Sequence, residues 1–141
     1  MFQLHPVLQK DTVLVGEFSL SLLLISKDAN YPWVILVPKR SDIDEIYQLS
    51  VSDRQELLKE SCLLANALVK ICKPDKLNIA TIGNMVPQLH MHHVCRYQTD
   101  LCWPKPVWGQ APSSSYVSQE LERFKQRLRA ELGEYISDSQ R

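Results

Sequence analysis

The sequence carries no net charge, because 16 lysine and arginine residues balance 16 aspartate and glutamate residues. Nucleic acids and anionic membranes attract strongly basic proteins, so we expect neither a nucleic-acid polymer nor a membrane as partner. A small nucleotide, held by local contacts, is still open. The sequence also lacks an apolar stretch of the roughly 20 residues that a membrane span needs. Its N-terminus lacks the charged region and apolar run of a signal peptide, and we predict a soluble cytoplasmic protein.

Paired cysteine motifs and internal repeats are absent as well. The four cysteines show no C-x-x-C spacing, and without a secretory signal they are predicted to be reduced thiols that pack rather than react. The length of 141 residues suits one domain with its own core. We therefore predict a single domain over residues 1–141.

Histidine is rare, yet three of the four histidines fall within four residues. They lie in residues 88–96, QLHMHHVCR, where apolar and polar residues interleave as in a β-strand. Side chains alternate across a strand, so Gln88, His90 and His92 share one face and His93 points to the other. Imidazoles one strand repeat apart lie roughly 7 Å apart along the chain. That spacing lets two imidazoles address different atoms of one substrate.

This stretch resembles the His-φ-His-φ-His-φ-φ signature (φ is apolar) of the histidine triad nucleotide hydrolases and transferases. Gln88 stands at the first histidine position, as in a bacterial-type branch. Residues 76–86 and 31–38 resemble two further family segments, and the resemblance covers about residues 15–110. It implies an α+β fold, with an antiparallel β-sheet, helices packed on one face and a homodimer. A C-terminal arm and helix would follow at about residues 103–141.

The resemblance also implies roles for individual residues. His90, at the middle position, would be the nucleophile that attacks the α-phosphate. His92 would donate a proton to the leaving group or orient the phosphate, whereas His93 would be structural. The implied substrate-binding positions are Gln88, Asn78, Asn84, Asp28 and Lys27.

The function predicted from this resemblance is hydrolysis or nucleotidyl transfer at the α-phosphate of a nucleoside phosphoramidate, a dinucleoside polyphosphate or a similar conjugate. A nucleotidyl-histidine would be the intermediate, and no cofactor would be needed. A non-catalytic nucleotide-binding or interaction protein is the alternative. A zinc site at His90, His92 and a cysteine is disfavoured, because Cys95 is predicted on the opposite strand face.

The remaining pattern gives the predicted elements. Strands are expected at 18–25 and 33–37, paired as an antiparallel hairpin, and at 77–82. A short helix should begin at Ser41, and a longer one should be capped by Ser52 and end at Lys73-Pro74. A last helix should span about 115–132, after a proline-rich arm that carries Trp103 and Trp108 as packing residues and crosses to the partner subunit. The apolar face of the longer helix should comprise Leu57, Leu58, Cys62, Ala65, Leu68, Val69 and Cys72.

Overall fold

Five antiparallel strands form one sheet in the order β1-β2-β3-β5-β4 in the computed structural model, which describes residues 1–138. The strands are β1 Thr12–Glu17, β2 Ser21–Ser26, β3 Trp33–Pro38, β4 Lys76–Ala80 and β5 Met91–Arg96. The helices are α1 Pro6–Asp11, α2 Val51–Cys72 and α3 Ser118–Leu132, with 3-10 turns at Ile46–Gln48 and Gly133–Tyr135. The predicted α+β class is confirmed.

Strand β2 is buried on both faces, which explains its unbroken apolar sequence. Leu23 and Ile25 face the core shared with α2 and α3. Leu22 and Leu24 face the opposite side, where the N-terminal segment packs over them. The sheet is therefore covered by helices on one face and partly by the N-terminal segment on the other.

The predicted hairpin is present, since Ser21 pairs with Pro38 and Ile25 pairs with Val34. Its first strand begins at Ser21 rather than at residue 18, and the strand predicted at 77–82 runs from Lys76 to Ala80. The histidine strand begins at Met91, so residues 88–90 lead into it rather than pairing.

Strand β1 is not among the strands predicted from the sequence. Its pairing with β2 is interrupted by a bulge between Leu14 and Gly16. A Cβ atom at Gly16 would lie 2.8 Å from the backbone oxygen of Ser137, closer than a side chain tolerates. Gly16 therefore allows the C-terminal segment to pair with this edge of the sheet, where the Ser137 amide donates to the Glu17 oxygen.

The long helix α2 begins and ends close to the predicted positions. Its N-cap is Ser50, whose Oγ accepts from the Asp53 amide at 3.1 Å, so the predicted cap at Ser52 was two residues late. It ends at Cys72, where Lys73 adopts the left-handed conformation with φ 48° and the following proline cannot continue the helix. The helix predicted at Ser41 is wrong: between β3 and α2, the structure has a single 3-10 turn at Ile46–Gln48.

The face that α2 turns to the sheet differs from the predicted one. Its buried members are Leu57, Glu60, Ser61, Leu64, Ala67 and Leu68. Leu58 and Val69 are instead 67% and 49% exposed, and Cys62 is exposed too. The buried face contains the polar residues Glu60 and Ser61, and the outer face carries apolar residues. The hydrophobic pattern therefore predicted the wrong face.

A buried ion pair anchors the start of the C-terminal arm. Arg96, 1% exposed, donates from Nε to Asp100 Oδ2 at 2.8 Å and from Nη1 to Asn78 Oδ1 at 2.8 Å. Its guanidinium also lies 5.6 Å from the Tyr31 ring centroid and 5.8 Å from that of Trp103. These contacts fix the loop after β5 against the sheet.

From this anchor the arm packs on its own chain. The Ala29 amide donates to the Ser114 oxygen at 2.8 Å, and α3 packs against α2 and β1. The spacing of Val117, Leu121, Phe124 and Leu128 predicts an apolar stripe on α3. Leu128 is buried, whereas Val117, just before the helix, is exposed. Within residues 1–138, no helix has the length and apolar character needed to cross a membrane.

Candidate functional site

His90 and His92 lie side by side on one face of the sheet, as the alternation predicted. Their ring centroids are 4.8 Å apart and the rings meet edge to face. Both residues are 7% exposed. His93 points to the other face, where its Nε2 lies 2.7 Å from the hydroxyl oxygen of Ser61 on α2. His90 and His92 can therefore act together, and His93 links the sheet to the helix.

The chain itself sets the tautomer of His90. Its Nδ1 lies 2.7 Å from the carbonyl oxygen of Gln88, which can only accept a hydrogen bond. The Nδ1 atom must then carry the proton, so in the neutral ring Nε2 has a free lone pair. A neutral imidazole with an available lone pair is a competent nucleophile.

The opposite tautomer is set at His92. The indole Nε1 of Trp33 donates to His92 Nδ1 at 2.9 Å, and an indole nitrogen can only donate. The proton of the neutral His92 ring therefore resides on Nε2. Burial, followed by the charges of His90 and His93, lowers the pKa of His92 from 6.5 to about 3. His92 is therefore a neutral hydrogen-bond donor at physiological pH.

Two tryptophans enclose the His92 ring. Trp33 and Trp108 lie 5.6 and 5.1 Å from it, centroid to centroid, and 5.7 Å from each other. Trp108 comes from the arm that Arg96 anchors. These edge-to-face contacts hold the imidazole in one place and remove water from its sides.

Gln88 is committed to the N-terminal segment. Its Oε1 accepts from the His5 amide at 2.8 Å, and its Nε2 donates to the Gln3 oxygen at 2.8 Å. One Nε2 hydrogen is left for a ligand, so any contact with a phosphate would use that hydrogen. The role that these two hydrogen bonds show for Gln88 is to hold residues 3–5 against the segment that leads into β5.

One recess adjoins His90, and a separate cavity lies on the other side of Trp33. A recess of about 30 Å³ is lined by His90, Gln88 and the turn around Gly83. A cavity of about 350 Å³ lies beside Trp33, and its other walls are Asp11, Ser26, Lys27, Asp28 and Ser113 to Ser115. Trp33 thus separates the larger cavity from His92.

The remaining predicted site residues are only partly available. Lys27 and Asp28 line the larger cavity, but Asp28 Oδ1 accepts from the amides of Asn30 at 3.0 Å and Ser114 at 3.2 Å. Asn78 is held by Arg96, and Asn84 is exposed on a bend. The structure therefore gathers His90, His92 and Gln88, places Lys27 and Asp28 at the neighbouring cavity and turns Asn78 toward the arm.

Sequence reasoning missed the part that Trp33 plays. Ile35 pairs with His92, so Trp33, two residues earlier in β3, stands on the same face of the sheet. The strand register would have shown this, but the sequence does not give the register. Trp108 reaches His92 only through the fold of the arm.

A site for a metal ion is not formed by the residues described. Within 1–138, no group of three or more His, Cys, Asp and Glu side chains is close enough together to hold a metal ion. Cys95, the cysteine nearest to the histidines in sequence, lies in the core on the helix side of the sheet. The zinc hypothesis therefore has no ligand set in this part of the chain.

Comparison with known proteins gives a consistent result. The family model described as HIT domain matches residues 7–99. A crystal structure of a histidine triad protein from Bradyrhizobium japonicum is 43% identical, covers 93% of this chain and 98% of its own, and has a TM-score of 0.92. A histidine triad protein from Marinobacter aquaeolei is 45% identical, with 96% and 98% coverage and a TM-score of 0.92.

A third bacterial structure, a histidine triad protein from Sinorhizobium meliloti, is 35% identical, with 93% and 97% coverage and a TM-score of 0.91. The search of curated proteins gave no match.

Proposed function

Because the chain belongs to the histidine triad (HIT) domain family, whose members are typically nucleotide hydrolases and transferases, we propose that it is a nucleotidyl-transferring hydrolase with His90 as nucleophile. The observation that carries this proposal is the pair of opposite tautomers. One imidazole presents a lone pair, and its neighbour presents an N–H group. Attack on a phosphorus atom and stabilisation of its oxygens require these two functions.

The reaction proceeds in two displacements. The Nε2 lone pair of His90 attacks the α-phosphorus of the substrate, and the bond to the leaving group breaks with its electron pair. The leaving group takes a proton from solvent or from the site, and the nucleotide stays bound to His90 through a phosphorus–nitrogen bond. Water then attacks the same phosphorus, which releases the nucleoside monophosphate and frees His90.

His92 would serve the phosphate as a hydrogen-bond donor. Its pKa of about 3 leaves it neutral, so the sequence-based role of proton donor is less well supported than that of phosphate orientation. An anionic phosphate beside the ring would raise that pKa, because an opposite charge favours the imidazolium. The donor would then strengthen as negative charge develops in the transition state.

The nucleoside would occupy the cavity beside Trp33. Its volume of about 350 Å³ falls within the range of small-molecule sites, and it offers polar groups from Lys27 and Ser26. The unused oxygen of Asp28 is a candidate acceptor for a ribose hydroxyl. Phosphoramidates and dinucleoside polyphosphates remain the proposed substrate classes, because both carry a leaving group on the α-phosphate.

A non-catalytic nucleotide-binding protein is the second candidate. The hydrogen bonds between Gln88 and the N-terminal segment favour it, because they give this residue a structural role and an amide cannot relay protons. Binding alone, however, does not require a lone pair and an N–H group beside each other. Detection of a covalent intermediate separates the two candidates.

We expect the wild-type protein to form a nucleotidyl adduct with an adenosine phosphoramidate. Rapid quenching without acid, followed by mass spectrometry, should show one added nucleotidyl group, which peptide mapping should place on His90. Treatment with EDTA should leave turnover unchanged, because the proposed steps use imidazole. If nucleotides stabilise the protein but no adduct or turnover is found across the substrate classes, the binding function is supported instead. Loss of activity with EDTA, restored by zinc, would support the metal hypothesis.

We also propose that the protein is a homodimer built on the outer face of α2 and the free edge of β4. Leu58, Cys62 and Val69 form an exposed apolar row on α2, and Ile79 on β4 is 47% exposed. A second copy would cover this row and pair the open strand edge by two-fold symmetry.

Light scattering at micromolar concentration should give twice the monomer mass. Leu58→Glu should give the monomer mass, because it places a charge in the interface. As a matched control, Glu122→Lys on the exposed side of α3 should stay dimeric. A monomeric wild type would disprove this assembly.

A further inference from the structure

We propose that Trp33 is a positioning residue that fixes the tautomer and ring orientation of His92. The kinetic consequence of this role rests on the proposed function, but the role itself does not. It follows from the hydrogen bond of 2.9 Å between the indole Nε1 and His92 Nδ1, which joins residues 59 positions apart in sequence.

The bond acts on two properties of the imidazole at once. An indole can donate only one hydrogen bond and cannot accept one through that nitrogen, so His92 Nδ1 has to keep its lone pair. A 180° rotation of the ring would replace Nδ1 by a carbon atom and break the bond. Trp33 therefore selects both the neutral form with the proton on Nε2 and the ring orientation that places Nε2 at the site.

Trp33 is itself held in place by its surroundings. It stands at the start of β3, where it pairs with Val94, and its ring meets the rings of Tyr31 at 6.4 Å and Trp108 at 5.7 Å. Strand pairing and two edge-to-face contacts leave the indole little freedom. A donor held in this way can impose an orientation on its partner rather than follow it.

The competing explanation is that Trp33 only fills space beside His92. Packing and hydrogen bonding can be separated, because 3-benzothienylalanine has nearly the shape of tryptophan with sulfur in place of the N–H group. Site-specific incorporation at position 33 removes the donor and keeps the ring contacts. Trp33→Phe provides a second variant that needs only the standard amino acids.

The direct test is nitrogen NMR of the histidine rings in the substrate-free protein. In the wild type, His92 should show an unprotonated Nδ1 and a protonated Nε2. With benzothienylalanine or phenylalanine at position 33, it should show exchange between tautomers, and its titration midpoint should rise because the neutral ring has lost a donor to its lone pair. Trp108→Phe, which changes ring packing alone, should keep the wild-type tautomer.

The kinetic readout should follow the tautomer. We expect kcat to fall by about 10- to 100-fold in the position-33 variants, the range seen when the partner that orients a functional histidine is removed. The benzothienylalanine variant, which keeps the ring that lines the cavity, should show little change in KM. An unchanged His92 tautomer in both position-33 variants would overturn the proposal, whatever the activity. A shifted tautomer in a protein without turnover would support the positioning role and count against the proposed function alone.

Discussion

Replacing His90 by alanine should lower kcat/KM by at least about 10³-fold and abolish the nucleotidyl adduct, because no other side chain presents a free imidazole lone pair at the site. The fold should survive this change. His90 contributes one hydrogen bond to the Gln88 carbonyl, and the net value of such a bond is about 1 kcal/mol. Steady-state kinetics, intact mass after quenching and thermal melting measure the three quantities.

His5→Asn is the matched control for this variant. His5 lies at the N-cap of α1, where its Nδ1 accepts from the Val7 amide, and asparagine is a preferred residue at that position. The substitution removes a histidine without touching the catalytic pair, and turnover should be unchanged. If His90→Ala kept substantial turnover or still formed the adduct, the assignment of the nucleophile would be wrong.

Acidification from pH 7 to 4.5 should lower the free energy of unfolding by roughly 3 kcal/mol. Burial lowers the pKa of His93 to about 4 and that of His92 to about 3, against an ordinary value of 6.5. Both groups bind protons in the unfolded chain as the pH falls below 6.5 while they stay neutral in the folded protein. Stability is therefore lost on the acid side. Where the unfolded chain binds the proton and the folded protein does not, each histidine lowers the free energy of unfolding by about 1.4 kcal/mol for every pH unit of acidification.

Glu60 has the opposite effect on the pH dependence of stability from that of the two histidines. Its side chain is 1% exposed, and burial raises its pKa from 4.5 to about 6. The folded protein therefore binds this proton before the unfolded chain does, and the resulting stabilisation is present at low pH and lost as the pH rises through 6. Between pH 6 and 4.5 the net difference should be about one proton instead of two.

Urea titrations at a series of pH values measure these slopes. Glu60→Gln should steepen the loss between pH 6 and 4.5 toward two protons, because the opposing group is gone. The double variant Ser61→Ala with His93→Leu replaces a hydrogen-bonded buried pair by apolar groups and should reduce the slope by about one proton. A stability that does not change between pH 7 and 4.5 in the wild type would contradict the burial of neutral His92 and His93.

The alternation of the histidine strand is what the sequence predicted well. A period of two is enough to place His90 and His92 together and His93 against the helix. The long helix was harder, because Glu60 and Ser61 lie in its buried face and Leu58 lies outside. Hydrophobic periodicity cannot identify a face that contains buried polar groups with partners in other elements.

Contacts across the sheet could not be predicted from the sequence for another reason. The bonds from Trp33 to His92 and from Arg96 to Asn78 depend on strand register, and the contact of Trp108 depends on the fold of the arm. The pattern of residues 88–96 identifies the proposed reacting groups but not the neighbours that set their protonation. Those neighbours are what make the two imidazoles different.

The two hydrogen bonds from Gln88 to the N-terminal segment give a structural role to the position where the family signature has its first histidine. If only the histidines of the signature were counted, this chain would be classed as a family member with an incomplete motif. In the folded protein, however, Gln88 bonds the N-terminal segment to the residues that lead into the histidine strand. Restoring histidine there would add an imidazole and remove an amide that bonds on both sides. The place of a third histidine is thus taken by a residue that ties two segments of the chain together.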